Sequence, residues 1–203
     1  MRTFKIYSFY TQDSVYKDVL NKYLIASLNK LNKRIPFEAI EAENFHHWGK
    51  NVAQKPLIIS QLLDEGLDNI VFLDADATVE QYPQLFHEIP NEYDIAFHYL
   101  DWDTWYQNNS HVKELLTGTM YFRNNEKVRK LCAEWYAKAE DGSEWEQQIL
   151  EKIIKKYDLK IYELPLEYIY IKTLPQGIEP NVKIENPVII HHQVSRQLKK
   201  GII

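Results

Sequence analysis

The apolar and polar residues in the first part of the chain alternate between a two-residue period and a helical period. Strand patterns and helical patterns follow one another, with strands at 4–10, 36–42 and 69–74 and helices at 15–31 and 55–66. Pro56 suits the first turn of the second helix, and Gly66 suits its end. The order strand, helix, strand, helix, strand predicts an α/β domain with a largely parallel sheet.

The second half of the chain has shorter and less regular segments. We expect strands at 93–100, 115–124, 160–165, 167–171 and 187–192, helices at 126–139 and 144–157, and loops at 43–54 and 102–111. Gly118 interrupts the second of these strands. We find neither a repeat nor a linker, so the 203 residues are expected to form a single domain. The segment after Lys160 is expected to pack on the same core as a small C-terminal extension.

Charge and composition exclude some classes of function. The formal net charge of −5 argues against nucleic acid as a partner, because phosphate binding needs a cationic face. The single cysteine, Cys132, cannot form an internal disulfide, so the fold does not require an oxidising compartment. We find no secretory signal and no apolar run near the roughly 18 residues of a membrane span. A cytoplasmic protein without a transmembrane segment is therefore expected, and peripheral contact with a membrane stays open.

The most informative motif is the pair of aspartates that ends the strand at 69–74. Asp74 and Asp76 follow the apolar residues 70–73, and side chains two apart in a strand point to the same face. Ligands of open α/β sheets bind outside the carboxyl ends of the strands. Two buried carboxylates need solvent, cations or a metal, and hard oxygen donors suit Mg²⁺ or Mn²⁺. The alternative is two aspartates that cap the turn after the strand.

The same residues also match a second class of enzyme. Asp74, Asp76 and Thr78 fit the D-x-D-x-T/V signature of haloacid-dehalogenase-like phosphatases, in which Asp74 would be the nucleophile. That fold needs a later strand that ends in paired acids. The pair Asp101 and Asp103 follows a strand, but the threonine and lysine motifs that should precede it are missing. The phosphatase stays the second hypothesis, and a non-catalytic module that binds nucleotide sugars is the third.

Four stretches share a resemblance to one family, in the family's order. They are IYSFYTQDSVY (6–16), KPLIISQLLDEGLDNIVFLDADATV (55–79), LTGTMYFRNNEKVRKLCAEW (116–135) and PVIIHHQVSRQLKK (187–200). Together they resemble the nucleotide-diphospho-sugar glycosyltransferases of the GT-A fold, in the galactosyltransferase and glycogenin-like branch. The resemblance implies a mixed, mostly parallel, Rossmann-like sheet flanked by helices. It also implies a donor-binding half at about 1–100 and an acceptor-side half with the tail at about 101–203.

The resemblance implies a reaction as well. A hexose would move from a nucleotide-diphosphate sugar, with UDP-sugar as the expected donor, to a glycan or lipid-linked glycan acceptor in polysaccharide biosynthesis. The glycogenin-like branch favours retention of configuration at the transferred sugar. The tail of this chain departs from the branch's usual His-Phe-x-Gly pattern, which puts both retention and the third metal ligand in question.

The implied metal site contains the two aspartates and a histidine from the tail. Asp76 would bind the metal directly, and Asp74 would bind it through water or bind the ribose hydroxyls. A histidine nitrogen would favour Mn²⁺ over Mg²⁺. Only one of His191 and His192 can face the site because strand residues alternate, and we choose His191. Strand-end surface histidines are the alternative.

Further donor-binding residues follow from the same resemblance. They are Tyr10 and Thr11 for the base, Lys55 for phosphate or sugar, Ala75 between the two aspartates, and Arg196, Lys199 and Lys200 for the diphosphate leaving group. Each of these assignments has a simpler alternative. The basic run would be a solvated C-terminal tail, Lys55 would be a solvated lysine, and Tyr10 and Thr11 would be the ordinary end of a strand.

The acceptor side is assigned in the same way. The implied acceptor-binding residues are Trp102, Thr117, Gly118 and Thr119. Glycine permits close approach of the backbone to a sugar, although a β-bulge is the alternative. Trp102 with Trp105 and Tyr106 would stack on a sugar face or pack onto the core. The same two interpretations hold for Trp48 and the histidines before it.

Three carboxylates are candidates for the catalytic base that an inverting enzyme needs. They are Asp101, Asp103 and Glu146. Glu146 and Gln147 fall where the resembled family often has an Asp-Gln pair. The alternative roles are loop acids for the two aspartates and a first-turn helix acid for Glu146.

Overall fold

The computed structural model describes residues 3–107, 109–172, 180 and 182–199. Its main sheet has six strands in the order β2-β1-β3-β6-β5-β7. These strands are β1 (Lys5–Thr11), β2 (Phe37–Ala42), β3 (Ile70–Leu73), β5 (Ile95–Asp101), β6 (Lys113–Phe122) and β7 (Ile161–Glu163). β6 is antiparallel to both of its neighbours, and the other pairs are parallel. The predicted α/β class with a mostly parallel sheet is confirmed.

Helices cover both faces of this sheet. They are α1 (Tyr16–Leu20), a π-helical segment (Asn21–Ile25), α2 (Ala26–Lys30), α3 (Trp48–Asp64), α4 (Leu85–Glu88), α5 (Trp102–Tyr106), α6 (Glu126–Ala139), α7 (Glu146–Ile153) and α8 (Val194–Lys199). Phe72 packs in the core formed with α3, α6 and α7, whereas Val71 and Leu73 pack in the core on the opposite face. β3 is therefore buried on both sides, which explains its uninterrupted apolar sequence. No helix in the described ranges combines the length and apolar character that a bilayer span requires.

A second sheet of three strands carries the C-terminal part of the chain to the end of β3. Its order is β4-β9-β8, with β4 (Ala77–Val79), β8 (Tyr170–Ile171) and β9 (Ile189–His191). β4 was not predicted, and it begins directly after the two aspartates. It pairs antiparallel with β9, and Ala77 lies opposite His191. This short pairing positions the tail histidine at the end of the main sheet.

Several predicted boundaries were wrong. Helix α3 begins at Trp48, so Pro56 lies inside the helix and not in its first turn. The Nδ1 atom of His47 caps this helix by accepting the Lys50 N–H at 3.2 Å. The predicted loop at 102–111 begins with helix α5, and the predicted strands in the tail are shorter than expected. Helix α4 has four residues, too few to give a periodic signal.

Candidate functional site

The two aspartates lie in a turn at the carboxyl end of β3. The strand ends at Leu73, one residue earlier than predicted, and the Asp74 N–H donates to the Gly118 carbonyl on β6 at 2.9 Å. The Ala77 N–H donates to the Asp74 carbonyl at 3.0 Å and closes the turn. Asp74 and Asp76 are brought together by this turn rather than by strand alternation.

His191 completes a cluster with these two aspartates. Potential ligand atoms of Asp74, Asp76 and His191 all lie within 4.8 Å of one another. The Asp76 carboxylate also accepts the Val194 N–H at 2.8 Å, which joins the start of α8 to the cluster. His192 faces elsewhere, because its Nε2 lies 3.1 Å from the Thr78 hydroxyl and its ring packs on Tyr23. The structure thus brings His191, the histidine we chose, to the aspartates.

The electrostatics of the cluster fit a divalent cation. Burial, together with the neighbouring Asp74, raises the pKa of Asp76 to about 6. Burial lowers the pKa of His191 to about 4, so its imidazole is neutral near pH 7 and keeps one nitrogen lone pair. Two carboxylates and one neutral imidazole form a donor set that could hold a divalent metal ion. A cation there would relieve the repulsion that raises the pKa of Asp76.

Gly118 has a role that follows from packing against the histidine. A Cβ atom at this position would lie 2.8 Å from Cε1 and 2.9 Å from Nδ1 of the His191 ring. Thr119 is the next residue along β6, and its hydroxyl lies 2.8 Å from Nε2 of His191. A hydrogen bond of this kind orients a ligating imidazole. Gly118 and Thr119 therefore hold the His191 ring, and Thr119 is fully buried.

Lys55 joins the cluster to a second group of buried polar residues. Its ammonium lies 2.8 Å from Asp74, 3.1 Å from Glu146, and 3.2 Å from both the carbonyl and the hydroxyl of Thr117. Burial alone would lower the pKa of Lys55, but the carboxylates of Asp74 and Glu146 outweigh it and raise the pKa above its ordinary value. Lys55 is a buried cation on α3, with a side chain only 5% exposed.

Glu146 lies at the start of α7, and its side chain is buried. Burial raises the pKa of Glu146, although Lys55 opposes this effect. Its Oε1 pairs with Lys55 and accepts the Thr117 hydroxyl, whereas its buried Oε2 has no hydrogen-bond partner among the described residues. An unpartnered buried carboxylate oxygen is costly unless a ligand satisfies it.

The next residue, Gln147, extends the network to a carboxylate that the sequence did not single out. Its amide N–H donates to Glu114 at 2.6 Å, and its oxygen accepts the Thr117 hydroxyl at 3.4 Å. The other oxygen of Glu114 accepts the indole N–H of Trp102 at 2.8 Å. Glu114 thus connects α5 to α7 across β6.

These groups surround a cavity of about 550 Å³. Most of the predicted site residues line it, namely Tyr10, Thr11, Lys55, Asp74, Ala75, Asp76, Thr117, Gly118, Glu146, His191 and Arg196. Arg196 interacts with the hydroxyl of Tyr106, which also lines the cavity. Lys199 ends helix α8, and Lys200 lies outside the described residues.

Four predicted site residues are not among the described residues that line the cavity: Asp101, Trp102, Asp103 and Thr119. Asp101 caps α5 by accepting the N–H of Asp103 at 2.9 Å. Asp103 accepts the N–H of His111 at 3.0 Å, and its second carboxylate oxygen lies 2.8 Å from Nδ1 of the His111 ring. Both carboxylates therefore hold the local loop. Trp105, considered as a stacking residue, is buried against the core.

Comparison with known proteins decides the family. The model of the nucleotide-diphospho-sugar transferase family matches residues 13–202. This chain belongs to that family. Among curated proteins, none matches the sequence significantly. Membership in the transferase family favours the glycosyltransferase hypothesis over the phosphatase hypothesis.

Solved structures show the same fold. A glycosyltransferase involved in the glycosylation of the major capsid of PBCV-1 is 11% identical, with a TM-score of 0.69 over 99% of this chain and 98% of its own. Mouse xyloside xylosyltransferase 1 is 9% identical, with a TM-score of 0.63 over 96% and 99% of the two chains. An active-site mutant of LgtC is 11% identical, with a TM-score of 0.56 over 93% and 87%. This nucleotide-diphospho-sugar transferase therefore has the GT-A fold.

Two kinds of signal were missed in the sequence of this transferase. Glu114 lies just before the strand predicted at 115–124, although the observed β6 already begins at Lys113, and nothing nearby in the sequence marks it as part of a site. Trp145 was also missed. It lines the cavity with Trp48, for which stacking on a sugar was one of two interpretations, but the two residues are 97 positions apart in the chain and only the fold brings their rings together.

Proposed function

We propose that this transferase moves a hexose from a UDP-sugar to a glycan or lipid-linked glycan acceptor and that it depends on a divalent metal. One observation carries the proposal: the cluster of Asp74, Asp76 and His191 lies on the wall of a cavity that also contains a buried lysine–glutamate pair. A diphosphate needs cations and a sugar needs hydrogen-bonding groups. In this cavity a candidate cation site and hydrogen-bonding groups lie next to each other.

The metal-binding residues would be Asp74, Asp76 and His191, with Mn²⁺ preferred because one donor is a nitrogen. A bound divalent ion supplies Lewis acidity that stabilises the negative charge of the departing diphosphate. Gly118 and Thr119 support this arrangement by holding the imidazole.

Residues of the chain would share in stabilising the leaving group. Arg196 lines the cavity at the start of α8, close to the residues that hold Asp76. Its guanidinium can bind phosphate oxygens with two hydrogen bonds. The base of the donor would contact Tyr10 and Thr11, which end β1 at the same edge of the sheet.

The transferred sugar would lie in the cavity beside Lys55 and Glu146. The unpartnered Oε2 of Glu146 can accept a hydrogen bond from a sugar hydroxyl, and the Lys55 ammonium bridges Glu146 and Asp74 by pairing with both. Glu146 is the carboxylate we prefer for a role at the reacting sugar, because Asp101 and Asp103 are not among the described cavity residues. We propose retention of configuration, which the product anomer would test.

The first experiment is isothermal titration of UDP, with and without Mn²⁺, against the wild type and Asp76→Asn. We expect binding that requires Mn²⁺ and that the substitution abolishes. Asp158→Asn is the matched control, since Asp158 is a fully exposed aspartate paired only with a surface lysine in the described structure. UDP binding that is independent of both Mn²⁺ and Asp76 would refute the assigned metal site.

Turnover is tested next by incubating the protein with a panel of UDP-sugars and following release of UDP. Glycosyl transfer or donor hydrolysis that needs Mn²⁺ would support the proposal. Tight donor binding without turnover on any acceptor would favour the non-catalytic module.

A further inference from the structure

Two tryptophans form an aromatic pair on the wall of the cavity. Trp48 is the first residue of α3 and is 38% exposed, and Trp145 is the half-buried residue before α7. Their ring centroids lie 5.9 Å apart with an angle of 57° between the planes. Both residues line the cavity. A pair of large aromatic rings on the wall of a cavity offers an apolar surface to a ligand.

The backbone around these tryptophans fixes the pair. A Cβ atom on Gly49 would lie 2.1 Å from the Gly142 carbonyl oxygen, and one on Gly142 would lie 2.5 Å from the Lys50 nitrogen. The first turn of α3 and the turn before α7 are therefore in direct backbone contact. The Trp135 indole also donates to the Glu146 carbonyl at 2.7 Å and anchors the start of α7. The relative position of Trp48 and Trp145 is set by the fold.

The helix α3 gives the distance from this pair to the metal cluster. Trp48, Asn51 and Lys55 all line the cavity and lie on one helical face. Seven residues separate Trp48 from Lys55, which corresponds to about 10 Å along the helix axis at about 1.5 Å per residue. Lys55 touches Asp74, so the tryptophans lie about two helical turns from the metal cluster along this wall.

The charges of the cavity indicate which ligand would reach the tryptophans. The cationic residues among its described lining are Lys55, which pairs with Asp74, and Arg196 at the start of α8, and both lie at the end of the cavity that holds the metal cluster. A nucleotide diphosphate is therefore expected at the metal cluster. The surface at Trp48 and Trp145 is uncharged and aromatic, which suits the C–H face of a neutral sugar ring.

We propose that Trp48 and Trp145 form a binding site for a pyranose ring of the acceptor. This inference rests on the proposed function, since it takes the metal cluster as the donor end of the cavity. The sugar being transferred occupies the space beside Lys55 and Glu146. The acceptor ring then packs on the tryptophans, and Trp145 immediately precedes Glu146 in the chain.

The test uses two separate titrations of the 203-residue chain. Methyl α- and β-glucosides and galactosides are titrated by ligand-observed NMR against the wild type, Trp48→Ala and Trp48→Phe, and UDP with Mn²⁺ is titrated against the same proteins. We expect millimolar glycoside binding to the wild type, loss of about tenfold in affinity in Trp48→Ala, and partial recovery in Trp48→Phe, in line with an aromatic contact of about 1.4 kcal/mol. Phe45→Ala is the matched control, because Phe45 is 43% exposed and is not among the described cavity residues.

The outcomes separate this inference from the proposed function. Glycosides that bind the wild type and Trp48→Ala equally, or that bind neither, would overturn the acceptor site. A Trp48→Ala protein that loses UDP affinity would also overturn it, since the pair would then belong to the donor. Failure of the wild type to bind UDP would instead count against the proposed function, whatever the glycosides do. A parallel Trp145→Ala protein checks the second ring.

Discussion

Replacing Lys55 with methionine leaves two carboxylates of the cavity without the cation that joins them. At the observed 2.8 Å and 3.1 Å, each charge pair contributes about 5–6 kcal/mol of Coulomb energy at an effective dielectric constant of about 20. Desolvation of the ammonium and of Glu146 offsets much of this. The contact with Asp74 is further reduced by solvent, because that side chain is 38% exposed.

The net effect is dominated by the buried charge that remains. Removing one partner of a buried ion pair costs about 3–5 kcal/mol, so Lys55→Met should lower the free energy of unfolding by that amount. For a chain of this length the loss corresponds to a decrease in Tm of about 6–20 °C. The matched control is Lys127→Met, which removes a surface ion pair with Asp158. It should change the free energy of unfolding by about 0.5 kcal/mol or less.

The pH dependence identifies the carboxylate responsible. Without Lys55, the pKa of Glu146 rises further above that of the unfolded chain, so the folded protein binds a proton more tightly than the unfolded one. Stability of Lys55→Met should therefore increase relative to the wild type as pH falls, and adding Glu146→Gln should restore part of the loss at neutral pH. Urea unfolding between pH 5 and 8 measures both effects. A loss below about 1 kcal/mol, or a loss that is independent of pH, would refute the reasoning.

Three further predictions concern single groups. Gly118→Ala should displace the His191 ring and weaken Mn²⁺ binding by about tenfold or more, measured by calorimetry; unchanged affinity would show that the ring can shift freely. Affinity for Mn²⁺ should fall as pH drops below about 6, because Asp76 then binds a proton that competes with the metal; a flat profile from pH 7 to 5 would contradict this. Cys132 is fully buried and its pKa is raised by burial, so a thiol reagent should react with it only after denaturation; rapid labelling of the native protein would be inconsistent with its position.

Periodicity was sufficient to predict the fold class because β3 is buried on both faces and the helices around it are amphipathic. Periodicity did not predict the start of α3 correctly, because the helix is capped at His47 and begins well before Pro56. Pro56 is a good first-turn residue in isolation, but with the cap at His47 and the buried face from Ala53 onward α3 begins about two turns earlier than predicted.

The candidate site could be predicted only in its local part. Asp74 and Asp76 stand two positions apart directly after a buried strand, so sequence alone indicates them. The alternation of side chains along a strand indicated only that one of His191 and His192 faces the site. In the structure, the register of β4 with β9 places His191 there. Glu114 is part of the site because it accepts a hydrogen bond from Gln147, which is 33 positions away in the sequence. No residue near Glu114 in the sequence indicates this contact.

The metal cluster also has a topological consequence. Asp76 and Val194, whose N–H it accepts, are separated by 118 positions, and the short pairing of β4 with β9 beside them provides few hydrogen bonds. An ion held by both the aspartates and His191 would close this long loop much as a covalent cross-link does, and such closure stabilises a chain more as the loop lengthens. Helix α8 would then be held more firmly when the cluster is occupied. The resistance of this helix to an endoprotease would report whether metal is bound without any need to know the acceptor.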